Sequence, residues 1–225
     1  MSCRYTTLSP ELTYLDGSQT DFTKLNAKIC ILPTISRTSP IPLHRLSPSH
    51  ANIRVNSADS THPPSPLYNN ALLTAFSPKP HLLSTYNLIH SIPAFSDALT
   101  LLRLWANQRG FGEGSKLCIK GFESAGALWP NLLELVINGE EPSANGFTKQ
   151  KPLGKGLSSY QLFKAVLSSL ADHDLTANPA LVKSITTHKY PASEFKANVP
   201  ATLLDSSSLV NLVSYIPPGC LDLVS

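Results

Sequence analysis

Charge is scarce in this 225-residue chain: 15% of residues are charged, against about a quarter in an ordinary globular domain. Cysteine is sparse and scattered. Cys3, Cys30, Cys118 and Cys220 form no C-x-x-C pair, so neither structural zinc nor a disulfide scaffold is supported, and a reducing compartment fits best. No apolar run approaches the roughly 18 residues of a membrane span, so no membrane partner is expected. Met1 to Leu25 holds no apolar stretch of the kind a secretory leader carries, and secretion is not expected. Acidic residues are missing between Asp21 and Asp59, where Lys24, Lys28, Arg37, Arg45 and Arg54 stand. That imbalance points to a local basic surface, although the overall charge of +3 is too small to name a nucleic-acid partner by itself.

Leucine and proline are abundant. Thirty-five leucines supply enough apolar surface to offset the entropy of ordering the chain. Nine of the 19 prolines fall from Pro33 to Pro80, which breaks any long helix there. Composition shifts near residue 66. Before it, Lys28 to Leu32 reads as a strand closed by Pro33, and Asn52 to Val55 as a shorter one. After it the period turns helical. Tyr68 to Phe76 and His81 to His90 predict two short helices, and Pro93 to Arg109 a long one. In the long one Pro93 suits the first turn, Asp97 the positive end, and Arg103 and Arg109 the negative end. Its stripe is Phe95, Leu99, Leu102 and Trp105, and Gly110 stops it. A segment from Phe122 to Asn138 contains Pro130, where a kink or a restart is expected. Glu140 to Gly156 reads as a mobile loop carrying Lys149, Lys151 and Lys155. Ser158 and Gln161 form a capping box that opens a helix with Leu162, Phe163, Val166, Leu167 and Leu170 on its buried side. From Phe195 to Ile216 the alternation Val199-Leu203-Leu204 predicts a strand or extended segment, followed by a polar turn at Asp205 to Ser208 and a short helix.

Catalytic signatures are missing. The glycines at 110, 112 and 114 follow a helix, whereas a phosphate-cradling loop follows a strand, and Lys151 to Gly156 lacks the first glycine and the Ser/Thr of that motif. Neither G-x-S-x-G nor H-E-x-x-H occurs. His173 stands between Asp172 and Asp174, a triplet read as polar residues at a helix end rather than an oriented imidazole. Two-metal nucleotidyl transfer needs two or three carboxylates on adjacent strands. Asp16 and Asp21 are too few, Gly17-Ser18 lies too close to Asp21, and Asp21-Phe22-Thr23 lacks the second carboxylate. Tyr160 is read as a packing residue rather than a base-stacking one.

Several segments together carry a resemblance. These are Arg45-Leu46-Ser47-Pro48, Asn52-Ile53-Arg54 and Pro66 to Asn70, then Pro93 to Ala98 running into Leu101 to Trp105 and Gln108-Arg109-Gly110. Ser158 to Phe163 and the tail from Leu204-Asp205 to Asn211-Leu212 complete the series. In this order they resemble the Nrap family of nucleolar RNA-associated proteins. The resemblance implies an α+β chain: a remnant of a nucleotidyltransferase-like palm with a proline-rich exit loop over residues 1–66, then a mainly helical domain like that of poly(A) polymerase and oligoadenylate synthase over 67–225. It implies a degenerate transferase that acts as a scaffold of the small-subunit processome in the nucleolus, without catalysis and without a cofactor or metal. Full family members are several times longer, so the chain would correspond to part of one.

The expected partners are pre-ribosomal RNA and other processome proteins. The candidate phosphate contacts are Arg37, Arg45, Arg54, Lys149, Lys151 and Lys155. Two rival readings stand beside this one. The first is a terminal nucleotidyltransferase fragment whose carboxylates lie outside the chain. The second is a pure protein-interaction domain that docks partner helices.

Overall fold

A computed structural model describes residues 42–49, 66–111, 126–139, 152–154, 156–183, 190–191, 193–195 and 199–216. The chain divides into two compact units, Met1–Pro33 and Thr34–Ser225, and every described residue lies in the second. A 3-10 helix at Leu43–Leu46 precedes α1 (Pro66–Phe76), α2 (Pro78–Ser91), α3 (Phe95–Gln108), α4 (Leu128–Asn138) and α5 (Ser159–Asp172). The strands β1 (Ala180–Leu181) and β2 (Leu203–Leu204) pair in parallel, Ala180 with Leu203 and Leu181 with Leu204. The mixed helical architecture with a small sheet accords with the α+β expectation for the helical part. The expected strands at 28–32 and 52–55 and all four cysteines lie outside the described residues.

α3, α4 and α5 pack against one another and form the centre of the core. Phe95, Ala98, Leu99, Leu102 and Ala106 are the buried side of α3, the stripe expected from spacing, with Trp105 at its margin. The helix begins at Phe95, so Pro93 sits in the turn before it rather than in its first turn. Its end is a Schellman motif. The Phe111 N–H donates to the Ala106 carbonyl at 2.8 Å and the Gly110 N–H to that of Asn107 at 3.2 Å. Gly110 takes φ 80°, a conformation only glycine adopts cheaply. Phe111 then folds back on Trp105, ring centroids 5.8 Å apart. Arg109 is the C-cap, whereas Arg103 lies short of the last turn, so only Arg109 holds the expected place at the helix end.

α4 is buried all round from Leu128 to Ile137, the pattern of a helix sunk in the core. Pro130 falls in the first turn of a helix that begins at Leu128 and does not kink it, while residues 122–125 of the expected segment lie outside the described residues. Pro130 is the third residue of α4, where the missing N–H would have had no intrahelical partner. Trp129 meets Trp105 edge to face, centroids 6.1 Å apart. At the end of α4 the C-cap Gly139 N–H closes on the Leu135 carbonyl, and the next two carbonyls are satisfied from outside the helix, Val136 by the Leu153 N–H and Ile137 by the Gly154 N–H. α5 opens on the capping box, the Gln161 N–H donating to Ser158 Oγ at 3.3 Å and the Ser158 N–H to Gln161 Oε1 at 2.9 Å. Leu162 and Val166 are fully buried, with Phe163, Leu167 and Leu170 partly so. After β2 the chain makes turns as far as Ile216. The short helix expected there does not form, because Asp205 and Asn211 hold the backbone with their side chains instead.

Candidate nucleic-acid interface

Of the six candidate phosphate contacts, Arg45 is the one the described residues contain; Arg37, Arg54, Lys149, Lys151 and Lys155 lie outside them. Arg45 is exposed on the 3-10 helix, whose turn closes through the Arg45 N–H donating to the Pro42 carbonyl at 3.0 Å. Leu46 is buried beneath it. The segment is fastened from three directions. Asn69 Nδ2 of α1 donates to the Ser47 carbonyl at 2.7 Å. The Ser47 hydroxyl donates to Glu194, and that of Ser49 does so at 3.2 Å. The Tyr190 hydroxyl donates to the Leu43 carbonyl. Burial, with the Glu194 charge adding to it, pushes the Tyr190 phenol up to about 12. The backbone that carries Arg45 is thereby held on both sides of the residue.

The buried carboxylates Asp205 and Glu134 are occupied by the fold. Asp205 accepts from both sides: Ser207 Oγ at 2.8 and 2.7 Å, the Val210 N–H at 3.1 Å and the Leu209 N–H at 3.3 Å. His81 Nε2–H of α2 adds a further bond to Oδ2 at 2.9 Å. Glu134 accepts from Ser84 Oγ at 3.3 Å. Burial pushes its carboxyl above the ordinary range. The Ser84 bond opposes this, the nearby Asp205 charge reinforces it and His81 again opposes it. A carboxylate saturated by turn donors, as Asp205 is, orders backbone; it does not present a lone pair to a substrate. Asp174 does the same at the end of α5, accepting from Thr176 Oγ1, the Thr176 N–H and the Ala177 N–H. Those bonds hold its carboxyl below the usual range. The triplet does stand at the end of α5, with His173 as its C-cap, but His173 Nε2 is buried rather than solvated.

Sequence reasoning missed two features. Tyr160, expected to pack, is 68% exposed on α5, with its ring 6.2 Å from that of Phe163. The second is the joining of α1 and α2 to the tail through Asn70, Asn211, His81 and Asp205. Asn70 pairs with the Asn211 backbone in both directions, at 3.1 and 2.9 Å. These partners lie 124 and 141 residues apart, and no local spacing signals them.

Residues 94–225, more than half of the chain, match a family model described as the Nrap protein PAP/OAS-like domain. The chain belongs to the Nrap family. Residues 5–91 match Nrap protein domain 1, so α1 and α2 fall in the first match and α3 onward in the second. Among relatives, U3 small nucleolar RNA-associated protein 22 of Saccharomyces cerevisiae is 31% identical over 185 residues, 76% of this chain and 14% of that protein. Nucleolar protein 6 of Xenopus tropicalis is 27% identical over 177 residues, again 76% and 14%. Nucleolar protein 6 of Homo sapiens is 27% identical over 154 residues, 68% and 12%. The chain therefore spans about one seventh of the length of these curated relatives.

Proposed function

We propose that this Nrap-family chain is a non-catalytic scaffold module of ribosomal RNA processing in the nucleolus. It contacts pre-ribosomal RNA and other proteins of the small-subunit processome. The observation that carries this reading is the ordered pair of Nrap matches, 5–91 then 94–225, in a chain whose relatives bear the names nucleolar protein and U3 small nucleolar RNA-associated protein. Residues 1–66 are the remnant of a nucleotidyltransferase-like palm and 67–225 the helical domain that follows. A non-catalytic role is supported by the carboxylates: Asp59 alone stands between Asp21 and Asp97, and the buried Glu134 and Asp205 are committed to α2 and to the tail turn.

RNA is held through its phosphates, by Arg37, Arg45, Arg54, Lys149, Lys151 and Lys155. Six such contacts to single-stranded RNA give a slope of log K against log salt of about −4, at roughly −0.7 per phosphate. Fluorescence anisotropy with a labelled pre-ribosomal RNA segment measures it. Reversing Arg45 alone reduces the slope by about 0.7, and reversing all six abolishes binding at about 0.15 M salt. Binding unchanged by the sixfold reversal would refute the assignment.

A further inference from the structure

Serine stands directly before proline at Ser9, Ser39, Ser47, Ser65 and Ser77, and nowhere after residue 78. Ser39 and Ser47 also have an arginine two residues upstream, Arg37 and Arg45. A Ser-Pro pair is what a proline-directed protein kinase reads, and its cleft takes the acceptor on an extended segment, the conformation a residue before proline favours. Ser47 and Ser77 lie among the described residues, and their settings differ. Ser77 joins α1 to α2 in a helical conformation, φ −92° and ψ −13°. Its hydroxyl donates to the Thr74 carbonyl at 2.8 Å, and its own carbonyl accepts from the His81 N–H at 2.9 Å. Extending it would break into both helices. Ser47 follows the 3-10 helix at φ −56° and ψ 143°, already extended.

The Ser47 hydroxyl faces inward, donating to Glu194 and lying 2.8 Å from that of Ser49. With the residue 9% exposed, a kinase reaches it when the turn lifts. The turn is fastened by the side chains of Asn69, Tyr190 and Glu194, with Leu46 and Pro48 buried beneath it, so it can open locally without unravelling a helix. We propose that Ser47 is the acceptor of a proline-directed protein kinase and that its phosphate holds the Arg45 turn open. In the transfer, Ser47 Oγ forms a bond to the γ-phosphorus of ATP, the bond to the departing ADP breaks, and the hydroxyl proton passes to the kinase's catalytic aspartate. The product carries a charge of about −1.5 to −2 where a donor had been. Glu194, which accepted from that hydroxyl, then meets an anion, and reclosing the turn would bury two like charges side by side. Arg45, exposed two residues upstream, pairs with the new phosphate in place of an RNA phosphate. That last step rests on the RNA reading above; the acceptor site and the opening do not.

The test treats the full chain with a cyclin-dependent kinase, magnesium and ATP and maps phosphoserine by tandem mass spectrometry. Synthetic peptides spanning Pro42 to Asn52 and Leu73 to Leu83 serve as unfolded references. Ser47 is expected to be modified in the folded chain, and Ser77 in its peptide but not in the folded chain. A folded chain left unmodified at Ser47, while its peptide is modified, would overturn the site. On phosphorylation, hydrogen exchange over Leu43 to Ser49 is expected to rise at least about tenfold. Ser47→Ala should show no such rise. Glu194→Gln keeps an acceptor but removes the charge, so its phosphorylated form should regain most of the protection. Exchange unchanged by phosphorylation, or equal opening in Glu194→Gln, would overturn the mechanism of release. Binding of the labelled pre-ribosomal RNA segment is expected to weaken about tenfold at about 0.15 M salt. Undiminished RNA binding by a chain whose turn has opened would refute the RNA role of Arg45 and leave the kinase site standing.

Discussion

Asn211→Ala is the substitution that most directly probes how the tail is held. The side chain is buried, and every polar atom on it is used. Oδ1 accepts from the Leu203 N–H at 3.1 Å and the Val213 N–H at 3.2 Å, and Nδ2 donates to the Ala201 carbonyl at 2.9 Å. Alanine leaves two backbone donors and one acceptor without that partner, in a region closed to solvent. At about 1–3 kcal/mol for each stranded group, less whatever an entering water restores, the loss is about 3–6 kcal/mol. A domain's whole stability is about 5–15 kcal/mol, so the variant sits near its folding threshold at 25 °C. Urea unfolding followed by circular dichroism and by the fluorescence of the buried Trp129 measures this. Asn70→Ala removes the complementary bonds to the Asn211 backbone and to Ser214 Oγ, the latter at 2.7 Å. Because the two side chains grip the same turn, their effects are expected to be non-additive in a double-mutant cycle. A loss under about 1 kcal/mol for Asn211→Ala would refute the reasoning, since it falls below even one stranded group.

Gly110→Ala forces a side chain into φ 80° and is expected to cost about 1–2 kcal/mol in the same urea assay; no loss would contradict the Schellman ending of α3. Ser158→Ala removes the cap of α5 and is expected to cost about 0.5–2 kcal/mol, checked by the same assay; Ser158→Asp should restore most of it. Glu134→Gln tests the buried carboxyl. Because burial raises its pKa in the fold, wild-type stability from this group is fully present below its ordinary value and is lost as pH rises through the raised one. Glutamine has no such ionisation, so the variant's advantage over wild type should grow from pH 4.5 toward 7.5; an advantage constant across that range would contradict the assignment.

α3 and α5 were legible because their signals are local. The apolar period, Gly110 followed by an apolar Phe111, and the Ser158/Gln161 pair each lie within one or two helical turns. α2 was legible as a helix but not in orientation. Its apolar residues satisfy helical spacing, yet the polar positions face inward because Glu134 and Asp205, contributed by α4 and the tail, wait there as acceptors. β2 was legible in the Val199-Leu203-Leu204 alternation, whereas β1, two residues long, carries no alternation to read. The turn at Asp205 to Ser208 was legible from composition, but the helix expected after it was not formed. Apolar residues at 209, 210, 212 and 213 satisfy a short helical pattern, and the Asn211 side chain takes the backbone donors of Leu203 and Val213 instead. Of the candidate phosphate contacts, Arg45 was read from charge alone, and its fixed setting depends on Asn69, Tyr190 and Glu194.

The scaffold reading is tested most directly by affinity capture of the tagged chain from nuclear extract, with and without nuclease, reading both protein and RNA. The account predicts recovery of small-subunit processome proteins together with ribosomal RNA precursors, the RNA lost and part of the protein retained after nuclease. Recovery of neither from a soluble, folded chain would contradict it.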